Sequence, residues 1–202
     1  MTQVPGDSEP VPRGFLEWVR RPSEPPTVAT EGTPDGDLTG TYAWPSGSRL
    51  ASELGKLVEC ADRCIVDLGC GLGQLGFSAL ALGARHVLFA DGSPVVVDRI
   101  ARTIALNGLD GRANVICHQW GEPLPGRPYP LILGGDILYR PECAMALIET
   151  IAASLAPGGS CLLSDPRRRW EDELVVAARA CSLQWAFERR DAGYSLARLT
   201  RA

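Results

Sequence analysis

The stretch Asp67-Leu68-Gly69-Cys70-Gly71-Leu72-Gly73-Gln74-Leu75-Gly76 follows the apolar run Cys64-Ile65-Val66 and opens a helical pattern. Glycines in such a turn let backbone approach a ligand and adopt positive φ, and the helix behind them offers free N–H groups. Asp91, with Gly92 beside it, closes a second apolar run. A carboxylate at that point, beyond the carboxyl end of a strand, is placed to accept both hydroxyls of a ribose.

Two ligands compete for this turn. Gly71 to Gly76 has the GxGxxG spacing of a dinucleotide site, a weak signal alone. Asp67 stands two residues before Gly69, where a carboxylate repels a pyrophosphate and tolerates a cationic amino-acid group. S-adenosylmethionine (SAM) carries a ribose, an ammonium and a sulfonium, so the pair Asp67 and Asp91 suits it better than NAD. An NAD oxidoreductase stays open as the rival.

The elements that must hold this turn alternate along the chain. Strands are expected at 64–68, 86–90, 113–117, 131–135 and 160–164, with helices after Trp44-Pro45-Ser46-Gly47, after the glycine turn, after Ser93-Pro94, at 142–155 and at 170–181. Ser93 is the expected N-cap of its helix. Leu75, Ala79 and Leu82 mark the inward face of the second helix; Val97, Ile100 and Ile104 mark that of the third. Strands at 183–189 and 194–200 are joined by Arg190-Asp191-Ala192-Gly193, too short for anything but an antiparallel hairpin. The expected fold is α/β: a Rossmann-like, doubly wound, seven-stranded sheet, about five strands parallel, closed by an antiparallel C-terminal hairpin, with helices on both faces. Residues 1–38, rich in Pro, Gly and acids, read as a partly disordered arm with one aromatic island, Phe15-Leu16-Glu17-Trp18-Val19; residues 39–202 read as the domain.

Composition removes several classes. No apolar run reaches the roughly 20 residues that a membrane helix needs. The net charge of -4 lacks the basic footprint of a nucleic-acid binder. Seven scattered cysteines without a paired CxxC, and only two histidines, argue against a metal site and for reduced thiols. The start, MTQVPGDSEPVPR, has no signal-peptide pattern, so a cytoplasmic protein is expected, and a monomer.

From residue 38 to 200 the sequence resembles the seven-strand, class I SAM-dependent methyltransferases. More narrowly it is similar to their lysine methyltransferase-like group, which includes bacterial relatives of the enzyme acting on electron-transfer flavoprotein. Trp44-Pro45-Ser46-Gly47, Trp120-Gly121 and the DxxY segment Asp136-Ile137-Leu138-Tyr139 carry that resemblance. It implies that Trp44 borders the methionine end of SAM, that Trp120 packs against adenine, and that Gly69, Cys70, Gly71 and Gly73 form the cofactor turn. It places Asp91 on the ribose, Gly135 under the sulfonium, and Asp136 and Tyr139 before the methyl acceptor. Gln119 stands where the group often has Asp, and still offers an acceptor to the adenine amine.

The implied reaction moves a methyl group from SAM to an amine, leaving S-adenosylhomocysteine (SAH). A protein lysine is the favoured acceptor; a small-molecule amine, or a SAM-binding module without catalysis, are the alternatives. An amine must arrive neutral, and two positive charges about 4 Å apart repel by roughly 4 kcal/mol at an effective dielectric near 20. Asp136 is expected to orient the amine while Tyr139 caps its remaining donor. The run Arg167-Arg168-Arg169 reads first as a solvated edge, on the rim that faces substrate, with a grip on an acidic acceptor or acidic protein surface as the alternative.

Overall fold

The computed structural model describes residues 42–126, 128–168 and 171–202. The arm expected over residues 1–38, with its aromatic island, lies outside them, as does Arg169. Elements alternate as α1 (Pro45–Leu57), β1 (Cys64–Leu68), α2 (Gln74–Ala81), β2 (His86–Asp91), α3 (Pro94–Leu106), β3 (Ala113–Cys117) and β4 (Tyr129–Gly135). A 3-10 turn, Pro141–Cys143, then leads into α4 (Ala144–Ser154), β5 (Leu155–Asp165), α5 (Glu171–Ala180), β6 (Leu183–Arg190) and β7 (Tyr194–Arg201). Among the described residues no helix is long and apolar enough to cross a membrane.

The strands form one sheet in the order β3-β2-β1-β4-β5-β7-β6. β1 to β5 pair in parallel, and β7 runs antiparallel to both β5 and β6. The terminal hairpin thus enters the sheet in reverse, with β7 against β5 and β6 at the edge. Strand order reverses between β1 and β4, so a crevice opens beyond their carboxyl ends.

The period of two along each strand sorts the core into two layers. Ile65, Val87, Phe89, Leu131 and Leu133 pack with Leu50 and Leu54 of α1, Phe77 of α2 and Ile100 of α3. Their neighbours Val66, Leu88, Ala90 and Ile132 point the other way, to Leu147 and Ile151 of α4 and Leu174 of α5. Strands covered on both faces are apolar along most of their length, and the exceptions here, Asp67 in β1 and Asp91 at the end of β2, both face the crevice.

Several local expectations are revised. Ser93 occupies the N-cap of α3, yet its side chain makes no capping bond; its backbone N–H donates to Asp91 Oδ1 at 2.9 Å instead. Val96, not Val97, heads the buried stripe of α3, and Leu82 lies past the end of α2 and is exposed. β5 starts at Leu155 and runs through Pro157-Gly158-Gly159, expected as a helix-ending loop. The pairs Tyr129↔Leu155 and Leu131↔Ser160 show that this segment bulges from the ladder rather than leaving it.

Gly76 lets α2 lie on β2. A Cβ there would stand 2.2 Å from Phe89 Cε1, and Phe89 is fully buried with its ring centroid 4.6 Å from that of Phe77. Gly76→Ala is therefore expected to cost about 1–3 kcal/mol through overpacking. The check is a lower urea midpoint at unchanged m value.

Candidate active site

Beyond the ends of β1 and β4 lies a cleft of about 720 Å³, of the size that small-molecule sites have. Trp44, Asp67, Gly69, Cys70, Gly71, Asp91, Gly92, Trp120, Gly135, Asp136 and Tyr139 all line it. Gly73, grouped with them from the sequence, is not on this wall. It is the N-cap of α2 at φ 76°, and a Cβ there would meet Phe77 Cε2 at 2.6 Å. Its place is helix packing.

The glycine turn is tied down from three sides. The N–H groups of Gly69 and Cys70 donate to Ala90 O at 2.8 and 3.1 Å. Asp91 Oδ2 accepts from Gly71 N at 3.0 Å, so its carboxylate bridges the turn and Ser93. Arg99 of α3 donates to Gly71 O at 3.0 Å. At Gly69, with φ 62°, a Cβ would strike Ile137 Cγ2 at 2.6 Å and stand 3.7 Å from Trp120 Cζ2. The turn therefore passes directly beneath the indole.

Asp67 explains which ligand this turn suits. It is 2% exposed, and its Oδ2 accepts from Gly76 N at 2.8 Å. That N–H belongs to the first turn of α2, the set a pyrophosphate would take. A carboxylate already sits on it. Burial pushes the Asp67 carboxyl up to about 8; the Gly76 hydrogen bond opposes this and the charge of Asp91 adds to it. Of the pair Asp67 and Asp91, expected to suit a cationic ligand, Asp67 is thus held toward its protonated form until a cation arrives.

The other end of the cleft is built around Asp136. The chain leaves β4 there in a left-handed turn, φ 62°, with Asp136 N donating to Ser164 O at 2.9 Å. Its buried carboxylate faces the first turn of α1, where Ser46 Oγ donates to Oδ2 at 2.6 Å. Arg168 Nη1 donates to Oδ1 at 2.6 Å and to Asp165 Oδ2 at 2.9 Å. Burial works against the Arg168 cation, but the hydrogen bond and charge of Asp136, with those of Asp165, raise its pKa above the ordinary value. Arg168 is thus part of the site and not a solvated edge. Tyr139 stands at the rim, exposed, with the Arg140 guanidinium 5.6 Å from its ring centroid.

At the cleft, helix α1 and strand β4 touch glycine to glycine: a Cβ on Gly135 would lie 2.9 Å from Gly47 Cα. Tyr42 and His118 also line the cleft, and neither was singled out from the sequence. Tyr42 packs its ring 6.0 Å from that of Trp44, and His118 N donates to Asp91 O. Gln119 donates its amide to Gly92 O at 3.2 Å, which leaves its oxygen as the acceptor side. Ser46 had one sequence signal, its place between Trp44-Pro45 and Gly47; Arg168 had none beyond its neighbours' charge.

The donor set fits SAM. Asp91 is fixed by two N–H groups and is placed to accept a diol, Asp67 is a buried acid that gains from a nearby ammonium, and Trp120 over the glycine turn offers an adenine face. The same set disfavours a dinucleotide, because Asp67 holds the helix N–H that a pyrophosphate needs.

A family model described as lysine methyltransferase matches residues 36–177. The ribosomal protein L11 methyltransferase of Xanthomonas axonopodis pv. citri is 33% identical over 117 residues, 58% of this chain and 36% of that protein. A protein-lysine N-methyltransferase, EFM3, of Chaetomium thermophilum is 32% identical over 158 residues, 69% of this chain and 46% of that protein. The chain thus spans between a third and a half of these relatives' length. Among solved structures, magnesium protoporphyrin IX methyltransferase of Synechocystis PCC 6803 with bound SAM superposes at TM-score 0.63 and 20% identity. That match covers 94% of this chain and 91% of the other, and it shows the fold.

Proposed function

The chain belongs to the lysine methyltransferase family, and from that premise we propose that it moves a methyl group from SAM to an amine, with a protein lysine as the favoured acceptor. Relatives named for methylating ribosomal protein L11 and protein lysine support a protein acceptor. The observation that carries the reading is the cleft's two-ended chemistry. Asp67, Asp91 and Trp120 line it beside the glycine turn, and Asp136 and Tyr139 line it where the chain leaves β4 after Gly135.

SAM bound in the cleft supplies a methyl group made electrophilic by its sulfonium. Asp91 holds the ribose, Asp67 holds the ammonium, Trp120 and Gln119 hold adenine, and Trp44 shields the methionine end. Asp136 would dock the acceptor as a cation, which then gives up one N–H proton to water at the cleft mouth, its loss favoured by the nearby sulfonium charge. Tyr139, at the mouth, takes a hydrogen bond from the acceptor nitrogen and keeps its lone pair aimed inward. The protein's contribution is position and exclusion of water rather than bond-making groups. The seven cysteines are all free thiols, which supports a reducing, cytoplasmic setting.

Incubation with methyl-labelled SAM and a cell lysate tests the reading. Label in protein, lost on acid hydrolysis only as methylated lysine, supports it; label confined to small molecules overturns the lysine acceptor. A second expectation concerns protons. Asp67 keeps its proton near neutral pH until a cation arrives, so SAH binding at pH 7 should release about one proton. Calorimetry in buffers of different ionisation enthalpy reads this directly, and Asp67→Asn should release none.

A further inference from the structure

We propose that the mouth of the cleft, on the side of Asp136, reads acidic residues beside the target amine, with Arg140 and Arg167 as its cations. The acceptor lysine is then one set in an acidic protein segment. The inference rests on the amine-methylation reading above and adds the kind of protein surface that presents the amine.

The two arginines leave the ends of neighbouring strands. Arg140 follows β4 on the segment that carries Asp136 and Tyr139, and it lines the cleft with them. Arg167 follows β5, beside Arg168, whose guanidinium is engaged by Asp136 and Asp165. β4 and β5 pair in parallel, with Gly135 opposite Ser164, so the two loops leave the same edge of the sheet from strands about 5 Å apart.

Each guanidinium is held in place without being neutralised. Arg140 lies 5.6 Å from the centroid of the Tyr139 ring, and it joins no ion pair among the described residues. Arg167, at φ 70°, donates from Nη2 to Arg190 O at 3.0 Å, a neutral carbonyl that leaves its charge uncompensated. Both arginines are exposed. Arg190, next along this edge, is already matched by Glu53 and Glu188. Glu142 and Asp191, the exposed acids nearby in sequence, form no ion pair with either arginine.

An arginine restrained by a ring or a carbonyl has already lost part of its rotamer freedom, so pairing with a carboxylate costs less entropy. An acidic segment draped over the mouth gains from both cations at once. The whole chain carries a net charge of -4, so at long range it repels an anion. Attraction for one must come from local cations, and it must fade as salt screens them. A nucleic acid, the denser anion, is the more strongly repelled.

The probes are two fluorescein-labelled peptides, Ala-Glu-Asp-Lys-Asp-Glu-Ala and its neutral counterpart Ala-Gln-Asn-Lys-Asn-Gln-Ala, titrated by anisotropy with the SAH-loaded protein. The acidic peptide is expected to bind about tenfold more tightly at low salt, with the margin shrinking toward unity near about 0.5 M salt. Arg140→Gln combined with Arg167→Asn should remove the margin; Asn is chosen because it tolerates the left-handed backbone. Arg140→Lys alone should keep most of it. An SAH titration verifies that each variant is folded.

Equal affinity for the two peptides, binding of neither, or a margin that survives in the double variant overturns the inference. So does a single-stranded oligonucleotide of equal charge that binds more tightly than the acidic peptide. Should the double variant fail to fold, salt decides alone: a margin unchanged between about 0.05 and 0.5 M overturns the inference. Norleucine in place of the peptide lysine separates the two readings. If the acidic peptide binds through the two arginines, loses no affinity with norleucine and gains no methyl group from SAM, the acidic-segment surface is supported and the amine reading falls.

Discussion

Asp136→Asn is expected to lower turnover about a hundredfold or more while leaving affinity for SAM within about threefold of wild type. The carboxylate belongs to the acceptor end of the cleft, so its charge contributes to docking and orienting the amine and little to holding the cofactor. Asn is the informative substitution because it keeps the shape and tolerates the left-handed backbone that Asp136 adopts at φ 62°. Alanine would strand the Ser46 hydroxyl and the Arg168 guanidinium, both now bonded to that carboxylate, and would mix lost chemistry with lost stability. The measurement is single-turnover methyl transfer beside a calorimetric titration with SAM. Equal turnover in the variant removes Asp136 from the mechanism.

Asp67→Asn should separate stability from binding in opposite directions. The folded carboxyl is pushed up to about 8, while an unfolded aspartate titrates near 3.9. Between those values the folded chain holds more protons than the unfolded one, so stability falls as pH rises from about 4 to about 8 and then levels off. Asn accepts the same Gly76 N–H and never carries the charge. Its melting temperature should match wild type near pH 4 and exceed it by about 10 °C or more at pH 8.5. Affinity for SAM should drop by about a hundredfold, because the ammonium loses its buried partner. A variant that gains no stability at alkaline pH, or keeps full affinity, contradicts the role given to Asp67. The acid is thus held at a cost to the fold, the usual sign of a group kept for binding.

Alternating β-branched runs made five of the strands legible, because a doubly covered sheet demands apolar residues on both faces. The glycine turn was legible because positive φ and close approach leave few alternatives to glycine. The misreadings came from contacts that local pattern does not encode. Ser93 does stand at the N-cap of α3, but its hydroxyl makes no capping bond, and its N–H serves the Asp91 carboxylate. Gly73 belongs to the right motif and faces Phe77 instead of the cleft. Arg168 carried no local signal: its partner Asp136 comes from the end of another strand, and only the parallel pairing of β4 with β5, which sets Gly135 opposite Ser164, brings the two together. Asp67 was identified by position, yet its protonation depends on burial, which spacing alone does not reveal.

The bare contact between Gly47 and Gly135 makes the two walls of the cleft a single mechanical unit. Trp44 and Ser46 ride on one of them, Asp136 on the other, with no side chain between to act as a bearing. The Ser46–Asp136 hydrogen bond crosses the same seam, so the helix cannot shift against the strand without moving the carboxylate's partner. A side chain at Gly135 would have to push the helix backbone off the strand, widening the cleft's floor along with the seam.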